Sequence, residues 1–253
     1  MYDLSEQLAS FNFFDWLVQV KGRGFKRVVF DISAPRVDKW LPELTAERFW
    51  SICYPGPALG GLGVEVINDP HNPGTGLETI PTVGLVSYFK SGSPFYRLGS
   101  PLPPIKSKYT VTLRKHHPQD ERGRGQSYRD SDESVWRDFA EEIGAVVIED
   151  YNTKPIHLHK RFAMYAGSEM NFFVQNGPGM ICTLTNFQCM VFNIYQSRKY
   201  LIGEGVEDGG QYPWMLHNQR LIWEEATAES LRRHFYHWRE TKTFAQDSYA
   251  PQA

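Results

Sequence analysis

Apolar and polar positions alternate along this chain at two periods, and the switch between them marks out its elements. Leu4, Leu8, Phe11, Phe14, Trp16, Leu17 and Val20 recur at mostly helical spacing, and the Gly22-Arg23-Gly24 run ends the pattern. A short apolar, β-branched run over 27–33 closes in Asp31, Ile32 and Ser33, the mark of a buried parallel strand. Residues 42–62 begin at helical spacing through Leu44, Phe49, Trp50 and Cys53 until Pro55, Gly56 and Pro57 break it. Strands are predicted at 64–69, ended by Pro70, and at 82–89, with a loop over 70–76 between them.

The second half repeats the alternation. Strands are predicted at 109–113, 145–148, 170–174, 189–193 and 220–223. Helices are predicted at 135–143, capped from Ser131, Asp132 or Ser134 and stopped by Gly144; at 155–166, stopped by Gly167; in a short stretch through Leu184; and from a Thr227 cap through Trp238. Residues 114–129 read as a charged loop and 203–210 as a glycine- and acid-rich one. Alternating strands and helices argue for an α/β protein with mainly parallel sheets. Ser, Gly, Pro and Lys dominate 90–108, which reads as a linker between two small Rossmann-like lobes, residues 1–98 and 99–253.

Composition narrows the function classes. Lys plus Arg total 27 against 29 Asp plus Glu, so a net charge of −2 offers no long-range attraction for a nucleic-acid backbone, and no nucleic-acid partner is expected. The longest apolar runs fall far short of the ~20 residues that span a bilayer, so no integral membrane segment is expected. The first residues lack the basic and apolar regions of a secretory signal, and a cytoplasmic location follows as the expectation. Cys53, Cys182 and Cys189 form no Cys-x-x-Cys pair, and the last two sit in apolar surroundings as buried, inert thiols.

Ligands of open α/β sheets gather outside the carboxyl ends of the strands, so candidate chemistry is sought there. The 109–113 strand delivers Arg114, Lys115 and His116, cations able to meet an anion, or equally a solvated cluster balanced by Asp120, Glu121 and Asp130. The 170–174 strand delivers Gln175-Asn176-Gly177-Pro178-Gly179, either a phosphate-binding turn opening a helix or a plain tight turn. His157 with His159, and His234 with His237, lack a metal motif, and Asp130-Ser131-Asp132 is better read as a cap than as a metal-binding D-x-D. No metal site and no cofactor is expected, and no nucleophile elbow, Walker loop or dinucleotide fingerprint occurs.

The succession from Arg114 through the 146–148 strand, the Met164-Tyr165-Ala166-Gly167-Ser168-Glu169-Met170 helix end, the Phe172 to Gly179 strand and turn, and Cys189-Met190-Val191-Phe192 resembles the donor-binding half of GT-B glycosyltransferases, in their heptosyltransferase-like branch. The resemblance covers roughly 109–235. It implies a metal-independent transferase moving a sugar from a nucleotide-sugar donor to a glycan or other acceptor, with a place in glycan or surface-polysaccharide synthesis. Carried over, it assigns Asn176, Gly177, Pro178 and Gly179 to the diphosphate, Arg114 with Lys115 and His116 to its charge, and Glu204 to the ribose. The base falls to Asp31 or Asp69, each at a strand end of the first lobe. The alternatives are a nucleotide-sugar epimerase and a non-catalytic nucleotide- or partner-binding protein, the last suggested by exposed-looking aromatics at 212–215 and 234–238.

Overall fold

A computed structural model describes residues 2–3, 13–32, 49–67, 84–114, 130–150, 156–192 and 201–247. The chain is α/β, and its described residues form two sheets whose strands are all parallel. In the smaller sheet β1 (Tyr2–Asp3), β2 (Arg27–Asp31) and β3 (Gly63–Ile67) lie in that order, with helix α1 (Phe13–Gly22) crossing between the first two. A π-helical turn (Phe49–Cys53) and the one-turn α2 (Gly56–Leu59) precede β3. The larger sheet contains β4 (Ser107–Arg114), β5 (Val146–Asp150), β6 (Ser168–Val174), β7 (Cys189–Phe192) and β8 (Gln219–Ile222). Its order is β5-β4-β6-β7-β8, the doubly wound arrangement that reverses direction beside its first strand.

Period-two alternation sorts each strand's side chains onto two covered faces. Phe172, Met190 and Ile222 face α4 (Glu133–Ile143) and α7 (Ala228–Thr241), packing with Trp136, Phe139, Leu231, Phe235 and Trp238. Phe173, Val191 and Leu221 face the other way, toward α5 (Leu158–Ala166) and α6 (Gly177–Thr183). This second cluster continues into the first half through Phe13, Phe14, Trp16, Leu17, Val28 and Phe30, so one core runs between the sheets. Threonines on β4 carry a buried polar network: Thr110 Oγ1 donates to Asn171 Oδ1 at 2.5 Å, and Thr112 Oγ1 lies 3.0 Å from Tyr165 Oη. Asn171 Nδ2 in turn donates to the Tyr165 and Gln188 carbonyls. Every member is partnered, which is the condition for polar groups to be tolerated inside a core.

Most predicted elements of the second half lie within two residues of their expected ends. Asp132 caps α4 through Val135 N, Gly144 ends it at φ 68°, and Thr227 with Ser230 forms a capping box on α7. The strand expected at 82–89 is a correction: residues 85–90 form helix α3 (Leu85–Lys90). Leu85, Val86 and Tyr88 share its buried side, a spacing of one and three that suits a helix as well as a short apolar run suits a strand. The segment expected as a linker is hydrogen bonded to both halves. Leu98 N donates to Leu184 O and Gly99 N to Leu59 O, each at 2.9 Å. Arg97 Nη1 donates to the carbonyls of Thr183, the last residue of α6 (Gly177–Thr183), and of Thr185 just beyond it, and Nη2 to that of Trp214.

Candidate active site

The direction of winding reverses between β4 and β6, and the carboxyl ends of these two strands carry Arg114 and the 175–179 turn. Sequence reasoning placed a ligand at these residues, and the topology brings them to one crevice. The end of β4 is fastened by Ser131, whose Oγ accepts from Arg114 N and whose N donates to Arg114 O, both at 2.9 Å. The Arg114 guanidinium meets Asp130 at 3.3 Å.

The 175–179 turn is built mainly for the fold. Asn176 is the N-cap of α6: its Oδ1 accepts from Gly179 N at 2.8 Å, and its carbonyl accepts from Met180 N at 2.9 Å. Pro178 has no N–H to give. Gly179 is needed for close packing of helix on strand, because a Cβ there would sit 3.0 Å from Phe173 Cβ and 3.2 Å from Val174 O. The helix has only seven residues, so the turn is not a row of free amides along a long dipole. What it leaves for a ligand is side chain: Asn176 Nδ2 and Gln175 Oε1 are buried without hydrogen-bond partners. Such groups are costly unless something meets them.

A second group of residues gathers where α1 and α3 meet the 201–206 turn. Asp15 stands in the first turn of α1, the helix that follows the carboxyl end of β1, with Phe13, Phe14, Trp16, Leu17 and Val18 buried around it. Leu201 and Val206 anchor the turn in the core, Val206 N donates to Leu201 O at 3.0 Å, and Gly205 adopts φ 88°. Lys90 of α3 donates to Gly205 O at 2.8 Å, and Glu204 Oε2 lies 3.7 Å from where a Cβ on Gly84 would be. The turn thereby holds Glu204 against the first half. Burial pushes the Asp15 carboxyl up to about 7, with the Glu204 charge adding to the rise. A half-buried carboxyl that titrates near neutrality can take up and release a proton under working conditions.

Of the residues singled out from the sequence, Asp31 ends β2 and is buried, while Glu204 stands beside Asp15. Asp69, Lys115 and His116 lie outside the described residues. Asp15 was missed. The available signal was an acid set inside an otherwise apolar stretch, Phe13-Phe14-Asp15-Trp16-Leu17-Val18, where a solvated residue of an amphipathic helix is out of place.

The histidines also differ from expectation. His234, expected on an exposed face, is fully buried beside Glu224 and Asp247, whereas His237 Nε2 lies 3.2 Å from Thr243 Oγ1. His157 caps α5 through His159 N, and His159 Nε2 meets Pro55 O at 2.9 Å, so these two serve local structure. The aromatics expected at the surface belong largely to the core: Tyr212 stacks on Trp214 at 4.8 Å, and Phe235 and Trp238 pack under the large sheet. The three cysteines are buried, and burial raises the Cys182 thiol well above its ordinary range, as inert structural thiols require. No described helix is long and apolar enough to cross a membrane. Comparison of the chain with protein-family models, with curated proteins and with solved structures found no match.

Proposed function

We propose that the chain is a metal-independent glycosyltransferase in which Asp15 is the general base. One observation carries this reading: burial pushes the Asp15 carboxyl of the first half up to about 7, with the charge of Glu204 from the second half adding to the rise. An acceptor hydroxyl gives its proton to the Asp15 carboxylate as its oxygen bonds to the anomeric carbon. The bond from that carbon to the donor's diphosphate breaks, and the diphosphate leaves with the electron pair. A base with a pKa near the operating pH suits this step, since it is ionised often enough to act and basic enough to hold the proton. The donor is assigned to the crevice between β4 and β6, where Asn176 Nδ2 can donate to an oxygen of the nucleotide or its phosphates and Gln175 Oε1 can accept from a hydroxyl. Arg114 supplies positive charge at that edge, in exchange for its contact with Asp130. The GT-B resemblance of residues 109–235 supports the same division of labour, with the donor on the second half and the base on the first.

The test is thermal stability and product formation with UDP-, GDP-, ADP- and CMP-linked sugars. One donor class is expected to raise the melting temperature, because a ligand that binds only the native state must stabilise it. Asp15→Asn is expected to keep that rise while lowering transfer about 10²–10⁴-fold, the usual worth of a general base. No stabilisation by any donor would sink the donor site; full transfer by Asp15→Asn would remove Asp15 as the base.

A further inference from the structure

The carboxyl end of β8, the edge strand of the large sheet, carries a group of side chains that the proposed transfer reaction does not use. Glu224 follows β8, His234 lies on α7 and Asp247 belongs to the segment beyond that helix. One ligand atom from each lies within 4.8 Å of the other two. His234 Nε2 is 3.5 Å from Glu224 Oε1 and 3.9 Å from Asp247 Oδ1.

These separations are too long for hydrogen bonds, which run about 2.7–3.2 Å. Two ligands each about 2.0–2.2 Å from one centre lie about 3–3.5 Å apart, so Glu224 and His234 already stand at that spacing and Asp247 reaches it by closing in on the ion. The hydrogen bonding points the same way. His234 has no solvent exposure, and neither ring nitrogen meets hydrogen-bond geometry, Nε2 having the two long carboxylate contacts. Each carboxylate has an outer contact on one oxygen. Glu224 Oε2 pairs with Arg233, and its Oε1 lies 3.5 Å from the imidazole. Asp247 Oδ2 accepts from Trp223 N at 3.2 Å and lies 3.8 Å from Arg220, while Oδ1 is buried and unpartnered. Outer contacts that fix the orientation of inward-facing ligand atoms are the ordinary surroundings of a metal centre.

We propose that Glu224, His234 and Asp247 bind one divalent first-row transition-metal ion of the Zn²⁺ type. One imidazole nitrogen and two carboxylate oxygens suit such an ion. Arg220 and Arg233 offset the two carboxylate charges, so affinity rests on ligand geometry rather than on a surplus of negative charge. The ion ties the 242–247 segment to α7 and to the end of β8, which makes its role structural. This departs from the sequence expectation of no metal, which found no metal motif around the two histidines of α7.

The experiment uses the full chain after chelator treatment and desalting. Zn²⁺ is added, free metal is removed by gel filtration, and bound metal is measured by mass spectrometry. One equivalent per chain and a higher melting temperature are expected for the wild type, and Co²⁺ in place of Zn²⁺ should give visible d–d absorption. His234→Gln and Asp247→Asn should each lose the equivalent and the temperature rise, while His157→Gln keeps both. Should His234→Gln not fold, Asp247→Asn, which is nearly isosteric, decides alone. The proposal is overturned if the wild type retains no Zn²⁺, leaving a buried His–carboxylate network, or if Asp247→Asn retains it undiminished. Metal content is read without any sugar donor, so its failure and the failure of the transferase reading are separate results.

Discussion

The two sheets of this protein are built from the same unit and bear different burdens. In the large sheet both faces are covered, and residues such as Phe172 and Phe173 point to opposite clusters and are both fully buried. In the small sheet the edge strand β3 is exposed over Gly63, Val64 and Glu65, and Arg27 and Glu65 pair at the surface. A strand sealed on both sides fixes its register through every side chain it carries, whereas an edge strand does so through half of them. Asp15, the carboxyl that burial raises toward neutrality, lies on the helix that joins β1 to β2 of this less covered sheet.

The largest expected effect tests the sealed sheet. Phe172 is fully buried and meets Phe139 at 5.3 Å and Phe235 at 5.9 Å, edge to face. Phe172→Ala should cost about 3–5 kcal/mol by denaturant unfolding, through lost burial and the cavity left behind. Val64→Ala on the exposed edge should change stability by no more than about 0.5 kcal/mol. Comparable losses at the two positions would abolish the distinction between the sheets.

The next effect has the opposite sign. Asp15 has a pKa raised from 3.8 to about 7 by folding, so the native state holds its proton more tightly than the unfolded chain. Its contribution to stability is therefore complete below about pH 4 and lost as pH rises toward 7. Asp15→Asn removes the ionisation. The variant should match the wild type in melting temperature near pH 4 and exceed it increasingly up to pH 7, with a constant margin above. A difference that does not depend on pH would refute the raised pKa, whatever the variant does to transfer.

The sequence carried the large sheet well and the candidate site in part, for physical reasons that differ. Residues 170–174 and 189–192 are buried on both faces and so read as continuous apolar strands, and Asp132, Gly144 and Thr227 announce helix ends through local bonding. Helix α3 was misread because six residues hold too few turns to separate the two periods. At the crevice, Arg114 and the Asn176 turn were found because strand ends are where ligands gather, yet the glycine that looked like a phosphate contact packs on Phe173. Asp15 and Asp247 escaped because their surroundings come from elsewhere along the chain: Glu204 is 189 positions beyond Asp15 (204 − 15), and Asp247 meets His234 only once the segment after α7 is packed.

A smaller effect is expected at the strap between the sheets. Arg97 donates to three carbonyls of the second half, and its neighbours Leu98 and Gly99 bond to both halves. Arg97→Ala should cost about 1–3 kcal/mol, the penalty of leaving a buried polar group unpaired. Arg97→Lys should recover little of it, because a single ammonium cannot reach all three acceptors in the guanidinium's fork. Full recovery by lysine would mean that charge alone, rather than shape, holds the strap.

The smallest effect concerns α7, whose start is a reciprocal box: Thr227 Oγ1 accepts from Ser230 N at 3.1 Å and Ser230 Oγ accepts from Thr227 N at 3.0 Å. Thr227→Ala should cost about 1 kcal/mol, and Thr227→Ser, which keeps the acceptor, a few tenths at most. The helix is also held by Leu231, Phe235 and Trp238 under the large sheet, so its packing should survive the loss of the cap. Hydrogen exchange separates the two contributions. Amides of the first turn should exchange faster in Thr227→Ala, whereas those near Trp238 should change only by the global loss of stability. Uniform acceleration beyond that loss would show that the cap, rather than the buried aromatic side, keeps α7 on the sheet.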